Sequence, residues 1–306
     1  MSSFNSILIL GPTASGKTKM AVNIAREMSG EIISVDSRQV YKRLDIGTGK
    51  DLNEYSMGNK KVSYHLIDIV EPDKKYNISL FVNDFYKAWK EITDRNILPV
   101  ICGGTGLYMD AILKKHQYIN IPINKELRAE LEKFTHIELV SKFNSFSSTY
   151  HANADVSTRK RTIRAIEIAS YVNKFSMEES LYHDVKPFII GVKVDAVKRR
   201  KNISDRLLFR IQCGLIEEVE SLINSGISKE QLIYFGLEYK WVTEYLSGKI
   251  EKSSMIEKLS TEIHRYSRRQ MTWFRKMERE GFKINWIEPE VLEDFLPIIR
   301  KQLGTK

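Results

Sequence analysis

Residues 7 to 18 read ILILGPTASGKT, in which four apolar residues run into Gly11, four intervening positions, Gly16, Lys17 and Thr18. That spacing is the phosphate-binding P-loop pattern, and it constrains the fold because each part needs a particular backbone. Glycines let the chain wrap until its N–H groups face phosphate oxygens, Lys17 adds a point charge, and the Thr18 hydroxyl is placed to meet a Mg²⁺. Pro12, Thr13, Ala14 and Ser15 complete the wrap. An apolar strand over residues 7–10 leads in. A helix with Met20, Ala21, Ile24, Ala25 and Met28 on one face leads out, ending at Gly30. Strand, loop and helix in that order predict an α/β fold and count against a plain glycine-rich turn.

The next segment, EIISVDSRQVY, is an apolar strand that ends on Asp36. Open parallel sheets bind ligands at the carboxyl ends of their strands, so Asp36 is expected near the phosphates. Its residue chemistry leaves three readings of equal weight: an acid near Mg²⁺ that acts through water, a general base, or a cap for the following turn. A further strand, LPVICGGTGLY, ends in Gly103, Gly104 and Thr105, which predicts close approach of backbone to a ligand, a tight turn into a helix, or both. Residues 64–70, YHLIDIV, read as another buried strand, and Asp68 within it is assigned a structural role. Phe81, Phe85, Trp89 and Ile92 recur at steps of four, four and three, the spacing of a core-facing helix.

With 306 residues the chain can bury a substantial core. Net charge is +9 and the pI about 9.3, which favours an anionic partner without naming it. Charge location is more informative. Between Lys258 and Arg279 seven basic and two acidic residues stand on one helical stretch, predicted over 253–280, supplying +5 of that excess. Arg265, Arg268, Arg269, Lys276 and Arg279 share a side while Ile256, Leu259, Ile263 and Trp273 or Phe274 face inward, the pattern of a helix lying along a phosphate backbone. Only Cys102 and Cys213 are present, without metal-ligand spacing, which argues against a disulfide scaffold and a zinc finger. No run is long and apolar enough to span a membrane, and MSSFNS has no basic n-region, so a cytoplasmic protein is expected.

From about residue 116 to 186 strand character disappears. Leu127, Leu131 and Phe134 begin one helical face, Ile163, Ile166, Ala169 and Val172 another, and a Ser/Asn-rich loop is expected over 141–153 between them. Arg159, Lys160, Arg161 and Arg164 cluster at the head of the second face, which a solvated surface also explains. FIIGVKVD, residues 188–195, returns to strand, and the helix after it places Arg206 and Arg210 four apart on one face. FKINWIE adds an expected edge strand.

The blocks GPTASGKT, SVDSRQVYKRLDIGTGK, HLIDIVEPDKKYNISLFVNDF, PVICGGTGLY and RQMTWFRK together resemble the tRNA dimethylallyltransferase family along nearly the whole chain. The resemblance implies a P-loop NTPase-like parallel-sheet core over 1–115 and 187–306, with an inserted all-helical subdomain over 116–186 that contacts tRNA. It implies dimethylallyl diphosphate as donor, its diphosphate held by Gly11, Pro12, Thr13, Ala14, Ser15, Gly16, Lys17 and Thr18 with Arg206 and Arg210, and Mg²⁺ at Thr18. Asp36, Thr105 and Lys17 become the catalytic candidates, with Asp36 the chosen base. Asp36, Ser37, Arg38, Gln39, Thr105, Arg128, Arg159, Lys160, Arg161, Arg268 and Arg269 become the candidate contacts of a tRNA anticodon stem-loop. In the family pattern an Asn-Asp pair directly precedes the arginine cluster, whereas HANADVSTRKR carries inserted residues. A monomer with no DNA or membrane partner is expected. Rival readings are an adenylate isopentenyltransferase, against which the basic helix and the insertion argue, a P-loop kinase of a small metabolite, and a non-catalytic RNA-binding protein, which leaves Asp36 and the intact P-loop without a purpose.

Overall fold

Strands apolar on both faces need cover on both sides, and β1 (Ser6–Leu10) and β2 (Glu31–Val35) are buried at every position in the computed structural model. The structure describes residues 4–56, 61–114, 118–147, 150–151, 154–175 and 183–304. Helix α1 (Lys17–Glu27) joins these two strands, followed by β3 (Tyr64–His65), α2 (Ile78–Thr93), β4 (Pro99–Gly103) and α3 (Gly106–Leu113). Next come α4 (Lys125–Leu131), α5 (His136–Asn144) and α6 (Arg159–Lys174). The chain returns to strand as β5 (Pro187–Val192), then runs through α7 (Ala196–Gln212), α8 (Leu215–Asn224), α9 (Lys229–Phe235), α10 (Leu237–Leu246) and α11 (Lys252–Arg279) to β6 (Ile284–Ile287) and α12 (Leu292–Leu303). Two compact units result: residues 1–114 with 183–306, and residues 115–182. The first expected boundary, at 116, falls outside the described residues.

In the larger unit all six strands run parallel, in the order β3-β2-β4-β1-β5-β6. Ile7, Ile9, Ile32, Val100 and Ile190 pack on one side with Met20, Ile24, Leu292 and Ile299 of α1 and α12. Leu8, Leu10, Ile33 and Ile101 alternate with them and are equally buried, so they point to the other side, where α2 brings Phe81, Phe85, Trp89 and Ile92. Strand order has a direct functional result. Because β4 lies between β1 and β2, the turn after Gly103 sits between the loop after Leu10 and the loop after Val35.

The smaller unit has its own core of Leu131, Leu139, Phe143, Ile163, Ile166 and Ala169. Its buried Glu167 carboxylate accepts Nε of Arg128 at 3.0 Å, Nη1 of Arg164 at 2.5 Å and the backbone N–H of Asn124 at 2.6 Å. Burial alone pushes that carboxyl up, but the two guanidiniums outweigh it and hold its pKa below the usual value.

Local chemistry revises several expectations. The strand read over 64–70 shrinks to Tyr64–His65, because Leu66 (φ 63°) and Asp68 (φ 56°) adopt left-handed backbone and leave only a lone bridge from Val70 to Tyr41. The loop expected from Ser141 is helical through Asn144. A capping box between Thr135 and Glu138 starts α5, and buried Leu139 and Phe143 anchor it. Residues 148–149 and 152–153 of that loop lie outside the described residues. In α11 the buried stripe is Met255, Leu259, Ile263, Ser267, Gln270, Phe274 and Met277, so two polar residues sit where an apolar face was expected, and Ile256 and Trp273 are only half-buried.

Asp68 has the structural role assigned to it. Lys50 is buried at its side chain, and its ammonium donates to the Tyr41 carbonyl at 2.5 Å, to Asp45 at 2.8 Å and to Asp68. Lys50→Ala leaves Asp68 and a buried carbonyl without their donor, and is expected to destabilise the protein by about 2–4 kcal/mol. Equilibrium urea denaturation of the two proteins measures the difference.

Candidate active site

A cavity of about 510 Å³ opens at the carboxyl ends of β1, β2 and β4, wholly within the larger unit. Its floor is the P-loop. Ala14 (φ 59°) and Gly16 (φ 82°) turn the chain into α1, whose first residue is Lys17 and whose N-terminus has no side-chain cap. Those amides are therefore left for a ligand. Among the described residues Ser15 Oγ, in the loop itself, is buried with no hydrogen-bond partner. A Cβ on Gly11 would come within 2.7 Å of that oxygen, which accounts for the glycine. Burial pulls the Lys17 pKa below its usual value and Arg206 adds to the pull, while Asp36 and Asp51 oppose it.

Asp36 stands one residue past β2. Its Oδ1 accepts the backbone N–H of Arg38 at 2.8 Å and of Gln39 at 3.3 Å, so the capping role is real, and among the described residues Oδ2 has no hydrogen-bond partner. Thr105, in the β4 turn, does not itself line the cavity; its Oγ1 accepts the Ser37 N–H at 3.3 Å, which ties that turn to the Asp36 loop, and it keeps its own proton to donate. Gln39 is committed at both ends of its amide, donating to the Gly49 carbonyl at 3.0 Å and accepting from Ser34 at 3.4 Å. Arg38 lies over the Tyr234 ring, 4.8 Å from its centre.

Arg206 and Arg210 reach the cavity from α7. They pair with neither Asp205 nor Glu217. Arg206 bonds Asp51 at 2.7 Å, and Arg210 lies 3.5 Å from Glu238 and donates to the Gly47 carbonyl at 3.4 Å. Burial, with Arg206 nearby, lowers the Arg210 pKa, and burial raises that of Glu238. Both guanidiniums lie over Gly49, which has φ 64° and no room for a Cβ. Asn202, also on α7, donates to the Ala14 carbonyl at 3.3 Å and ties the P-loop to the same helix.

Sequence reasoning missed Glu218 and Gln270. Glu218 on α8 accepts three backbone N–H groups, from Asp45, Ile46 and Gly47, together with the Tyr239 hydroxyl at 2.8 Å, and so fixes the DIGTGK loop beneath the arginines. Gln270 on α11 bonds both the P-loop and the Gly104 carbonyl. Glu218 gave no signal distinguishable from an exposed helical acid. Gln270 gave one, as a polar residue in an apolar stripe. Arg269 lines the cavity, whereas exposed Arg268 does not.

Arg128, Arg159, Lys160 and Arg161 belong to the smaller unit. Arg128 is bound to Glu167, Arg159 to Glu132 and the Phe134 carbonyl, Arg161 to Asp155 and Ser157, and Lys160 is exposed.

Among the described residues no group of three or more His, Cys, Asp or Glu side chains is placed to hold a metal. A Mg²⁺ here would take Thr18, ligand phosphate oxygens and water, and the buried Ser15 hydroxyl of the same loop, without a hydrogen-bond partner among the described residues, fits a loop made for a polar ligand.

Fold and cavity together define a P-loop protein whose cavity brings Lys17, Arg206 and Arg210 together with the acid Asp36. The chain belongs to the IPP transferase family, whose model matches residues 39–277; a model described as isopentenyl transferase matches residues 4–68. It is 45% identical over 304 residues, 99% of each chain, to tRNA dimethylallyltransferase 2 of Bacteroides fragilis. It is 46% identical over 282 residues to the protein of that name from Porphyromonas gingivalis, covering 92% of this chain and 93% of that one. Among solved structures, the tRNA isopentenylpyrophosphate transferase of Bacillus halodurans is 29% identical with a TM-score of 0.70, covering 98% of this chain and 97% of the other. A eukaryotic dimethylallyltransferase acting on tRNA, 20% identical, shares the fold with a TM-score of 0.73 over 97% of this chain and 77% of its own.

Gly49→Ala places a methyl group where the two guanidiniums lie and strains a left-handed residue. Displacing Arg206 and Arg210 is expected to weaken binding of inorganic diphosphate at least tenfold, as read by titration calorimetry, while the melting temperature stays within a few degrees of the parent's.

Proposed function

We propose that this chain transfers a dimethylallyl group from dimethylallyl diphosphate to the exocyclic 6-amino group of the adenosine immediately 3′ of a tRNA anticodon, releasing diphosphate. The observation that carries this reading is the convergence in one cavity of an anion cradle and the unpartnered oxygen of Asp36. The family and the names of its full-length relatives support it.

The 6-amino group is a weak nucleophile because its lone pair is delocalised into the ring. Asp36 Oδ2 accepts the N6 proton as the new N–C bond forms at the allylic carbon, and the Thr105 hydroxyl orients the base. On the other side the allylic C–O bond breaks and negative charge builds on the leaving diphosphate. Lys17, the free amides of the P-loop, Arg206 and Arg210 are already arranged to receive it. The Thr18 hydroxyl would hold a Mg²⁺, which when bound would supply further charge neutralisation to the leaving diphosphate. Phe235, Leu237, Ile263 and Tyr266 give the cavity an apolar side for the five-carbon chain.

The adenine must leave its stack to reach Asp36, which is easier in a single-stranded anticodon loop. Arg268 and Arg269 meet the phosphates, with Ser37 and Arg38 near the base and Arg128, Arg159, Lys160 and Arg161 of the helical unit making further contacts. Gln39 acts by holding its loop. No helix among the described residues is long and apolar enough to cross a membrane. A protein acting on tRNA is expected in the cytoplasm, and as a monomer, which size-exclusion chromatography checks. Incubation of the protein with Mg²⁺, labelled donor and either tRNA or AMP, followed by mass spectrometry of nucleosides, tests the whole reading. Prenylated AMP with unmodified tRNA would move the assignment to the adenylate enzymes.

Asp36→Asn keeps Oδ1 and hence the turn, but cannot take the proton. Single-turnover transfer is expected to slow by roughly 10²- to 10⁴-fold with donor affinity unchanged, and added Mg²⁺ should not restore it. Rescue by metal would falsify the assignment of Asp36 as base. Changing Arg268 and Arg269 to Ala should flatten the salt dependence of tRNA binding by roughly one log–log unit for each phosphate that the pair neutralises, with inorganic diphosphate bound as before. An unchanged slope would make that pair a solvated face.

A further inference from the structure

Gln270 is buried on α11, and its amide is satisfied at both ends by partners far away in the chain. Its Oε1 accepts the backbone N–H of Thr13 in the P-loop at 2.8 Å, and its Nε2 donates to the Gly104 carbonyl at 3.1 Å. An amide sealed in an apolar stripe is costly unless both ends are bonded, so a residue with only a packing role would be expected to be Leu or Met. Gly104 is matched to it, since a Cβ there would collide with Gln270 Nε2. Gly106 is matched to Trp273 of the same helix in the same way. The next residue after Gly104 is Thr105, whose Oγ1 takes the Ser37 N–H beside Asp36. One amide thus links the P-loop and the glycine turn directly, and the Asp36 loop through Thr105.

The bond to Thr13 also decides which P-loop amides face the cavity. Thr13 N–H is turned to Gln270 and is therefore withheld from a phosphate, leaving the amides nearer α1 for that purpose. The helix that imposes this carries Arg268 and Arg269 immediately before Gln270, on the face charged for RNA.

We propose that Gln270 is a positioning residue through which the seating of α11 sets the geometry of the diphosphate cradle, so that tRNA docking along α11 tightens diphosphate binding. The coupling rests on the proposed function, while the effect on the cradle does not. Gln270→Met keeps length and apolar fit and removes both bonds. Titration with inorganic diphosphate in the presence of Mg²⁺ is expected to show affinity lowered roughly tenfold. The parent's gain in diphosphate affinity on adding tRNA should disappear, and the dissociation constant for tRNA itself should not change. Gly104→Ala, which pushes the amide aside from the opposite partner, should reproduce the pattern and serves if Gln270→Met does not fold. Unaltered diphosphate affinity in these variants would overturn the proposal. So would a parent protein whose diphosphate affinity is indifferent to tRNA. If the parent binds diphosphate yet prenylates no tRNA, the functional reading fails, and the diphosphate comparison still decides the role of Gln270.

Discussion

Lys17, Arg206 and Arg210 bring like charges into one cavity, and much of the surrounding structure serves to keep them there. Left alone they would swing out to water, because burial and mutual repulsion both disfavour the charged forms of Lys17 and Arg210. Asp51 holds Arg206, Glu238 stands beside Arg210, and Glu218 braces the loop on which both rest. On the proposed function a bound diphosphate would relieve that repulsion, and the relief would grow as the transferred group departs and the leaving oxygens gain charge.

Holding the cations is useful only if the acid and hydroxyl keep their distance from the phosphates, and sheet order secures that. With β4 between β1 and β2, all three loops emerge from neighbouring parallel strands that share a buried register. Rigid strands fix the loop ends. Thr105, Asn202 and Gln270 then tie the loop middles together through hydrogen bonds that cross the whole length of the chain.

Much of this was legible in the sequence where chemistry is local. The P-loop, the acid at the end of a strand and the paired glycines each need their own backbone, so residue order alone placed them at one edge of a parallel sheet. Helical spacing put Arg206 and Arg210 on one face and the family resemblance put them beside the diphosphate, but neither gave their partners, because Asp51 and Glu238 are distant in sequence. Glu218 was invisible for the same reason: nothing around it distinguishes a carboxylate that collects loop amides from one facing water. The strand expected over 64–70 failed because apolar residues there pack from a left-handed turn held by Lys50, a long-range ion pair that hydrophobic pattern cannot anticipate. The helix through Ser141–Asn144 was hidden by polar composition, although the residues of its capping box, Thr135 and Glu138, stand at the required spacing.

In the helical unit, Arg128, Arg159 and Arg161 each hold a carboxylate of the same unit. Each arginine therefore already carries its counter-charge as part of the chain. If an RNA phosphate were to take one of these guanidiniums, the cation shed by the phosphate would be offset by the cation that the abandoned carboxylate takes up, so the net ion release at that contact would be small. Positive residues in this unit are thus a poor guide to the number of small ions liberated when an RNA binds. If these three arginines meet RNA as proposed, they would add little to the salt sensitivity of its affinity.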